Sequence, residues 1–312
     1  MKTLRCGIVG ATGYTGIELL RLAAGHPGLD IELLAATRAM PLEESWPGLR
    51  GLGLPDIEAF SAPEAADRCD VVFTAVPHAH APEVVPGLVG RGVQVVDLSD
   101  LFRLDDDAVY GLCELNRDKL PGATLVANPG CYPTATSLAA LPFREHTDFL
   151  VASCLSGVSG AGRKAGARNL YCETADSAVA YGTSGTHRHN RELRKHLGVP
   201  LAFTPHLAPM TRGMLATVVA RTRLTEGDAQ QLMAEFCARN PLVVHCDAPP
   251  ATNHVRGTAA AHVFVSVDEG VVTSICAIDN LLKGAAGQAV QNLNLTRGWP
   301  ETLGLPRIPL SP

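Results

Sequence analysis

The 312-residue chain has no CxxC pair, and its nine cysteines, an odd number, are scattered from Cys6 to Cys276. That spread fits neither a disulfide framework nor a zinc ribbon, so reduced thiols are expected. No apolar run approaches the roughly 18 residues that a membrane helix needs. Met1 to Val9 passes from two basic residues directly into a strand-like run and a glycine-rich loop, with no separate apolar segment or small-residue cleavage site, which reads as cytoplasmic. Basic residues are not in excess. Twenty-six Lys plus Arg stand against 31 Asp plus Glu, a formal charge of −5, which removes the electrostatic footprint of a nucleic-acid binder. No repeat, low-complexity tract or charge block interrupts the chain. His78-x-His80 and His187-x-His189 lack third and fourth ligands at a recognisable spacing, so no metal site is expected. What the chain has is length, enough for two domains at about 150 residues each.

Up to residue 130, short apolar runs alternate with helical patterns: Leu4–Val9, Tyr14–Ala24, Ile31–Ala36, Val71–Val76, Pro82–Val89, Val93–Leu98 and Leu125–Ala127. Continuous apolar strands suit a parallel sheet covered on both faces, so the expected fold is an α/β, Rossmann-type doubly wound domain. Beyond residue 150 the runs lengthen (Phe149–Leu155, Leu215–Thr222, Ala261–Val267, Val271–Ile278), with helices near Arg188–Leu197 and Asp228–Arg239. Asp268-Glu269-Gly270 between two strands reads as a hairpin turn, and antiparallel pairing marks a second, α+β domain. A final helix is expected over Leu281–Leu295, capped by Asp279-Asn280 and stopped by Gly298 and Pro300. The expected division is 1–130, 131–279 and a C-terminal segment 280–312, whose helix 280–298 is a candidate to return to the first domain.

Gly10-Ala11-Thr12-Gly13-Tyr14-Thr15-Gly16 follows the first strand and opens a helix, a GxxGxxG variant of the dinucleotide fingerprint. Glycines there allow a tight turn and close backbone approach to a pyrophosphate, whose charge meets free N–H groups at the helix start. The second strand ends in Ala36-Thr37-Arg38, where an NAD-binding domain would place an acid. A hydroxyl and a guanidinium suit a 2′-phosphate instead, which points to NADP(H).

Asn128-Pro129-Gly130-Cys131-Tyr132-Pro133-Thr134 closes a short strand and starts a helix. A thiol at that mouth faces unpaired N–H groups and the positive end of the helix dipole, which favour the thiolate. Cys131 is therefore placed as a nucleophile, unlike Cys6, Cys154 and Cys276 in their apolar runs.

These residues carry a resemblance. The chain resembles the N-acetyl-γ-glutamyl-phosphate reductases, the arginine-pathway branch of the semialdehyde dehydrogenase superfamily. The match includes GATGYTG, Pro77-His78, Asp97-Leu98-Ser99 with Phe102-Arg103-Leu104, and NPGCYPTA. It continues through Ser156-Gly157-Val158-Ser159-Gly160, His187-Arg188-His189, Phe203-Thr204-Pro205-His206-Leu207-Ala208-Pro209, Val255-Arg256-Gly257-Thr258 and Ile278-Asp279-Asn280-Leu281 with Lys283-Gly284.

The resemblance implies NADPH-dependent reduction of an acyl phosphate through a Cys131 thioester, with His206 as acid/base. It implies Arg103, Asn128, His189, Glu192 and Arg212 as substrate-binding candidates, with Tyr181 beside them. Pro77, Ser156, Gly157 and Asn280 join the cofactor-binding set of Gly10, Thr12, Gly13, Tyr14, Thr15, Gly16, Thr37 and Arg38. The implied partners are a small acyl phosphate and phosphate, not nucleic acid or membrane, in a homodimer or homotetramer assembled through the second domain's sheet. Two departures stand out. Asp100 appears one place earlier than the family's acid, and Cys113 replaces its usual proline before Glu114. A lysine-pathway relative acting on a carrier-bound or aminoadipyl phosphate is the rival, but no Lys/Arg cluster beyond Arg188–Lys195 would receive an acidic carrier.

Overall fold

The computed structural model describes residues 3–164, 166 and 169–310. The chain divides into two compact units, residues 1–129 with 285–305, and residues 130–284 with 306–312.

In the first unit, β1 (Leu4–Val9), β2 (Leu29–Ala36), β3 (Ile57–Ala59), β4 (Val71–Thr74), β5 (Gln94–Asp97), β6 (Val109–Tyr110) and β7 (Leu125–Ala127) form one sheet. Its order is β3-β2-β1-β4-β5-β7-β6 and every pairing is parallel. The continuous apolar runs are the reason: β4 and β5 are buried at every position, so both faces need cover. The doubly wound expectation is met. At the C-terminal ends of β4 and β5, buried Asp97 accepts from Thr74 Oγ1 (2.7 Å), Ser99 Oγ (2.6 Å) and Ser99 N (3.1 Å), which shapes the loop carrying Asp100 and Arg103.

The helix Gly287–Thr296 belongs to this unit and is lined with buried amides. Asn294 meets His26 Nε2 at 3.0 Å, and Thr296 accepts from Gln94 Nε2 at 2.8 Å. Cys113 sits in the same network, donating to Asn292 Oδ1 (2.9 Å) and accepting from Gln288 Nε2 (3.2 Å). A proline has no side-chain donor for that bond, so the departure at 113 has a local partner.

In the second unit, β8 (Leu150–Gly157), β9 (Val179–Ala180), β10 (Leu201–Ala208), β11 (Met214–Arg221), β12 (Val243–His245), β13 (Ala261–Asp268) and β14 (Val271–Ile278) form a mixed sheet ordered β12-β13-β14-β11-β8-β10-β9. The expected β13–β14 hairpin is antiparallel in register from Ala261–Ile278 to Asp268–Val271. Alternation is strict on β11 and holds on β8 up to Ser156. Leu150, Ala152 and Cys154, with Met214, Ala216 and Val218, are buried against the helices Cys131–Ala140, Arg188–Leu197 and Glu226–Ala238. Their neighbours Val151, Leu155, Leu215 and Val219, with Phe264 and Ile275, form an opposite apolar face that is only partly covered.

One strand is hidden from the apolar pattern, and one local expectation is corrected. β10 is a strand that the apolar pattern does not reveal, because Pro205 interrupts it. The proline is tolerated because β10 lies next to the sheet edge, where its last partner β9 pairs only at Leu207–Val179 and His206–Ala180. The final helix is not one element: a π-turn, Leu282–Ala286, precedes the α-helix Gly287–Thr296. The Gly284 N–H reaches back five residues to the Asp279 carbonyl (3.0 Å), and Asp279 Oδ1 takes the N–H groups of Leu281 and Leu282.

Candidate active site

The glycine-rich loop is a cradle in which side chains do not fit. Gly10 has φ +98°, and a Cβ there would lie 2.4 Å from the Ala75 carbonyl oxygen; one on Gly16 would lie 2.2 Å from the Gly10 oxygen. Gly13 caps the helix Tyr14–Ala24 without a side-chain hydrogen bond, leaving backbone N–H groups as the donors at that end, as a pyrophosphate requires. Thr12, Tyr14 and Thr15 are half-buried around this turn, and Thr37, Arg38 and Pro77 are exposed at or near the C-terminal ends of β2 and β4 of the same sheet. The residues present therefore fit a dinucleotide, with a cation where a 2′-phosphate would lie. Trp46, which the sequence reading passes over, donates from Nε1 to the Ala11 carbonyl (2.9 Å), with its ring centroid 6.4 Å from that of Tyr14. Its signal is absent locally, since 35 residues separate it from the loop.

Two proposed substrate residues of this unit are committed to the fold. Arg103, buried, donates to the carbonyls of Asn128 and Leu98, both at 2.8 Å, and so bridges the ends of β5 and β7. Asn128 accepts from Asn292 (3.0 Å) and donates to the Ala285 carbonyl (3.2 Å). Asp100 has found a partner in His78, whose Nδ1 lies 2.6 Å from its carboxylate.

In the second unit, Cys131 is the first residue of a helix whose next nine residues are all buried. Gly130 caps it in extended conformation, and no side chain occupies the cap. The first-turn N–H groups and the positive helix end therefore lie at the thiol. The cap's own N–H donates to Glu192 Oε1 at 2.9 Å, so this buried carboxylate holds the turn that presents the cysteine. Cys131 is half-buried, whereas Cys154 is fully buried and its thiol is pushed up to about 12 by desolvation.

His206 lies inside β10, with Nδ1 3.3 Å from the Cys154 carbonyl. A carbonyl only accepts, so in the neutral ring Nδ1 carries the proton and Nε2 is the acceptor nitrogen. Tyr132 donates to the His206 carbonyl (2.9 Å) and accepts from Tyr181 Oη (3.0 Å). Its phenol is driven upward by burial. Around it stand the rings of Tyr181, His187, His189 and Phe203, with centroids 5.5 to 6.5 Å away. Tyr132 was legible as part of NPGCYP but had no role assigned from sequence. Burial, then the neighbouring Arg188, lowers His187 to about 4, so it stays neutral near pH 7, where its Nδ1 accepts from His189 N at the helix start.

His189 and Glu192 are both on the buried face of the helix Arg188–Leu197. Ser156 and Gly157 end β8; a Cβ on Gly157 would lie 2.8 Å from the Met210 carbonyl oxygen. Asn280 accepts from Gly213 N (2.8 Å) and donates to Ser159 Oγ (3.0 Å), so it ties the loops after β8 and β10 rather than capping a helix. Arg212 Nη2 donates to Asp279 Oδ1 at 3.0 Å. Among the described residues no group of three His, Cys, Asp or Glu side chains could hold a metal ion, and no helix is long and apolar enough to cross a membrane.

Comparisons with known proteins match both units. Residues 5–123 match the model of the semialdehyde dehydrogenase NAD binding domain, and residues 131–280 that of the semialdehyde dehydrogenase dimerisation domain. The N-acetyl-gamma-glutamyl-phosphate reductase of Geobacter metallireducens is 41% identical, with 99% of this chain and 100% of that protein covered. The protein of the same name from Alkalilimnicola ehrlichii is 46% identical, over 97% and 98%. Among solved structures, aspartate semialdehyde dehydrogenase with NADP from Candida albicans superposes with a TM-score of 0.77 at 16% identity, over 94% of this chain and 98% of that one, a likeness of fold.

Proposed function

The chain belongs to the N-acetyl-gamma-glutamyl-phosphate reductase family of semialdehyde dehydrogenases, and we propose that it reduces N-acetyl-L-glutamyl 5-phosphate to N-acetyl-L-glutamate 5-semialdehyde, releasing phosphate. The observation that carries this reading is the presentation of Cys131: a half-buried thiol at an uncapped helix start, on a turn held by Glu192.

The Cys131 thiolate attacks the acyl carbon, forming a C–S bond as the C–O bond to phosphate breaks, and an acyl thioester remains. His206 takes the thiol proton at Nε2, the nitrogen left as acceptor by the bond from Nδ1 to Cys154. The uncapped N–H groups of the helix start stabilise charge on the sulfur before attack and again as the aldehyde departs. NADPH, when bound, supplies the hydride. Gly10, Gly13 and Gly16, with Thr12, Tyr14 and Thr15, would hold its pyrophosphate, and Thr37 and Arg38 its 2′-phosphate; Pro77 belongs to the same unit's cofactor set, and Ser156, Gly157 and Asn280 are the second unit's cofactor candidates. Arg212, His189 and Glu192 are the second unit's proposed substrate residues, while Arg103 and Asn128 brace loops of the first.

In this reading residues 1–130 and the helix 280–298 serve the cofactor, and 131–279 serve catalysis and assembly in a cytoplasmic enzyme. The partly covered apolar sheet face of Val151, Leu155, Leu215, Val219, Phe264 and Ile275 is the surface for a homodimer or homotetramer. The test is the reverse reaction: purified protein, NADP+ and phosphate with N-acetylglutamate semialdehyde, with aspartate and aminoadipate semialdehydes as controls. Phosphate-dependent turnover with the first alone, abolished in Cys131→Ser, is the expected result. Turnover with a control alone overturns the substrate, and turnover by Cys131→Ser overturns the mechanism.

A further inference from the structure

Asp279 stands at the end of β14 with no solvent exposure, and its carboxylate gathers three separate segments. Oδ1 accepts from Arg212 Nη2 (3.0 Å) on the β10–β11 connection and from Leu281 N (2.9 Å) and Leu282 N (3.1 Å) at the π-turn; Oδ2 accepts from Gly257 N (2.8 Å) before β13. Three donors converge on Oδ1 and one reaches Oδ2, so both oxygens of the buried carboxylate are hydrogen-bonded. A buried carboxylate is costly unless it is paired and hydrogen-bonded, and here it is both.

The pair is asymmetric. The Arg212 side chain keeps 19% of its accessibility and that of Asp279 keeps none, so the anion is a fixed base and the guanidinium is its outer end. A guanidinium has five N–H donors in a rigid fork, and anchoring one of them on a buried carboxylate sets the plane of the others. The backbone of the same residue does a second task. The Asp279 carbonyl accepts from Gly284 N, and a Cβ on Gly284 would lie 2.8 Å from Cys131 Cβ, so the π-turn fixed at Asp279 packs against the nucleophile's β-carbon.

We propose that Asp279 is a positioning residue for the substrate clamp, holding the Arg212 guanidinium in the plane that receives the substrate carboxylate. This rests on Arg212 being part of that clamp. The Asp279→Asn side chain keeps the shape and one acceptor oxygen but loses the charge that orients the fork.

The experiment compares Asp279→Asn, Arg212→Gln and the double variant as full-length enzymes in the phosphate-dependent oxidation of N-acetylglutamate semialdehyde. Expected for Asp279→Asn is a rise of about tenfold in KM for the semialdehyde, with kcat and KM for NADP+ changed by less than about threefold. The double variant is expected to be no worse than Arg212→Gln alone, because the two residues act as one unit. Additive losses, or a parallel fall in kcat with no KM change, overturn the positioning role. An unchanged KM in Arg212→Gln overturns the clamp itself, a separate result. If Asp279→Asn loses its thermal transition, Asp279→Glu replaces it. That variant keeps the charge but displaces the fork, so a raised semialdehyde KM supports the proposal and an unchanged one overturns it.

Discussion

The phenol of Tyr132 donates a 2.9 Å hydrogen bond to the backbone carbonyl of His206, tying the residue that follows the proposed nucleophile to the strand that carries the proposed base. The Tyr132→Phe side chain removes that bond and leaves the Tyr181 hydroxyl without its acceptor. The expected result is a loss of about 1 kcal/mol in urea unfolding and about a tenfold fall in kcat, with KM for NADP+ unchanged. Steady-state kinetics and an equilibrium melt on the same preparation check both, and an unaltered kcat would separate this bond from catalysis.

Gly16 has no room for a side chain, since a Cβ would stand 2.2 Å from the Gly10 carbonyl oxygen and 2.8 Å from Ala11 Cα. Both obstacles are backbone, so Gly16→Ala must move the loop. NADP+ affinity by calorimetry is expected to fall at least about tenfold, and stability by about 1–3 kcal/mol. Wild-type affinity would mean that the loop is not where the pyrophosphate binds.

His187 sits near 4 rather than its usual 6.5, because burial disfavours the cation and Arg188 adds repulsion. The unfolded chain takes up the proton as pH falls through about 6.5, while the folded chain resists until about 4. The stability contribution is complete above pH 6.5 and is lost between 6.5 and 4. His26 and His262, also lowered by burial, act in the same direction. In His187→Asn, which keeps a cap acceptor for His189 N, the urea midpoint should fall less steeply across that window. An identical slope in wild type and variant would refute the assignment.

Ile275 lies on the partly covered face of β14, opposite Phe264 on β13 and Thr217 on β11. A charge placed in that apolar face costs several kcal/mol if the face is buried between copies and little if it stays in water. Ile275→Arg is expected to reduce the mass seen by light scattering to that of one chain while the far-ultraviolet circular dichroism is kept. An unchanged assembly would move the interface elsewhere.

Several elements are legible in the sequence alone. The strand Leu4–Val9, the helices Tyr14–Ala24 and Arg188–Leu197, and the strand Val271–Ile278 lie at the expected bounds, because each is written in local periodicity, glycine punctuation or charge. The thiol at a helix start was legible for the same reason, since Gly130, Cys131 and Pro133 are neighbours in the chain. β10 was not: Pro205 breaks its pattern, and what makes it a strand is eight paired positions along β8, supplied from elsewhere.

Local order along the chain thus settled which segments are strands and helices, where the glycine turn falls, and which cysteine stands apart, because these depend on neighbours a few residues away. Tertiary structure alone decided that Tyr132 would hold His206 across 74 residues, that Asp279 would anchor Arg212 across 67, and that Trp46 would prop Ala11 across 35. Such pairs have no period and no spacing. They form because burial leaves a donor and an acceptor no water to turn to, and the packing of the sheets and helices determines which partner each one meets.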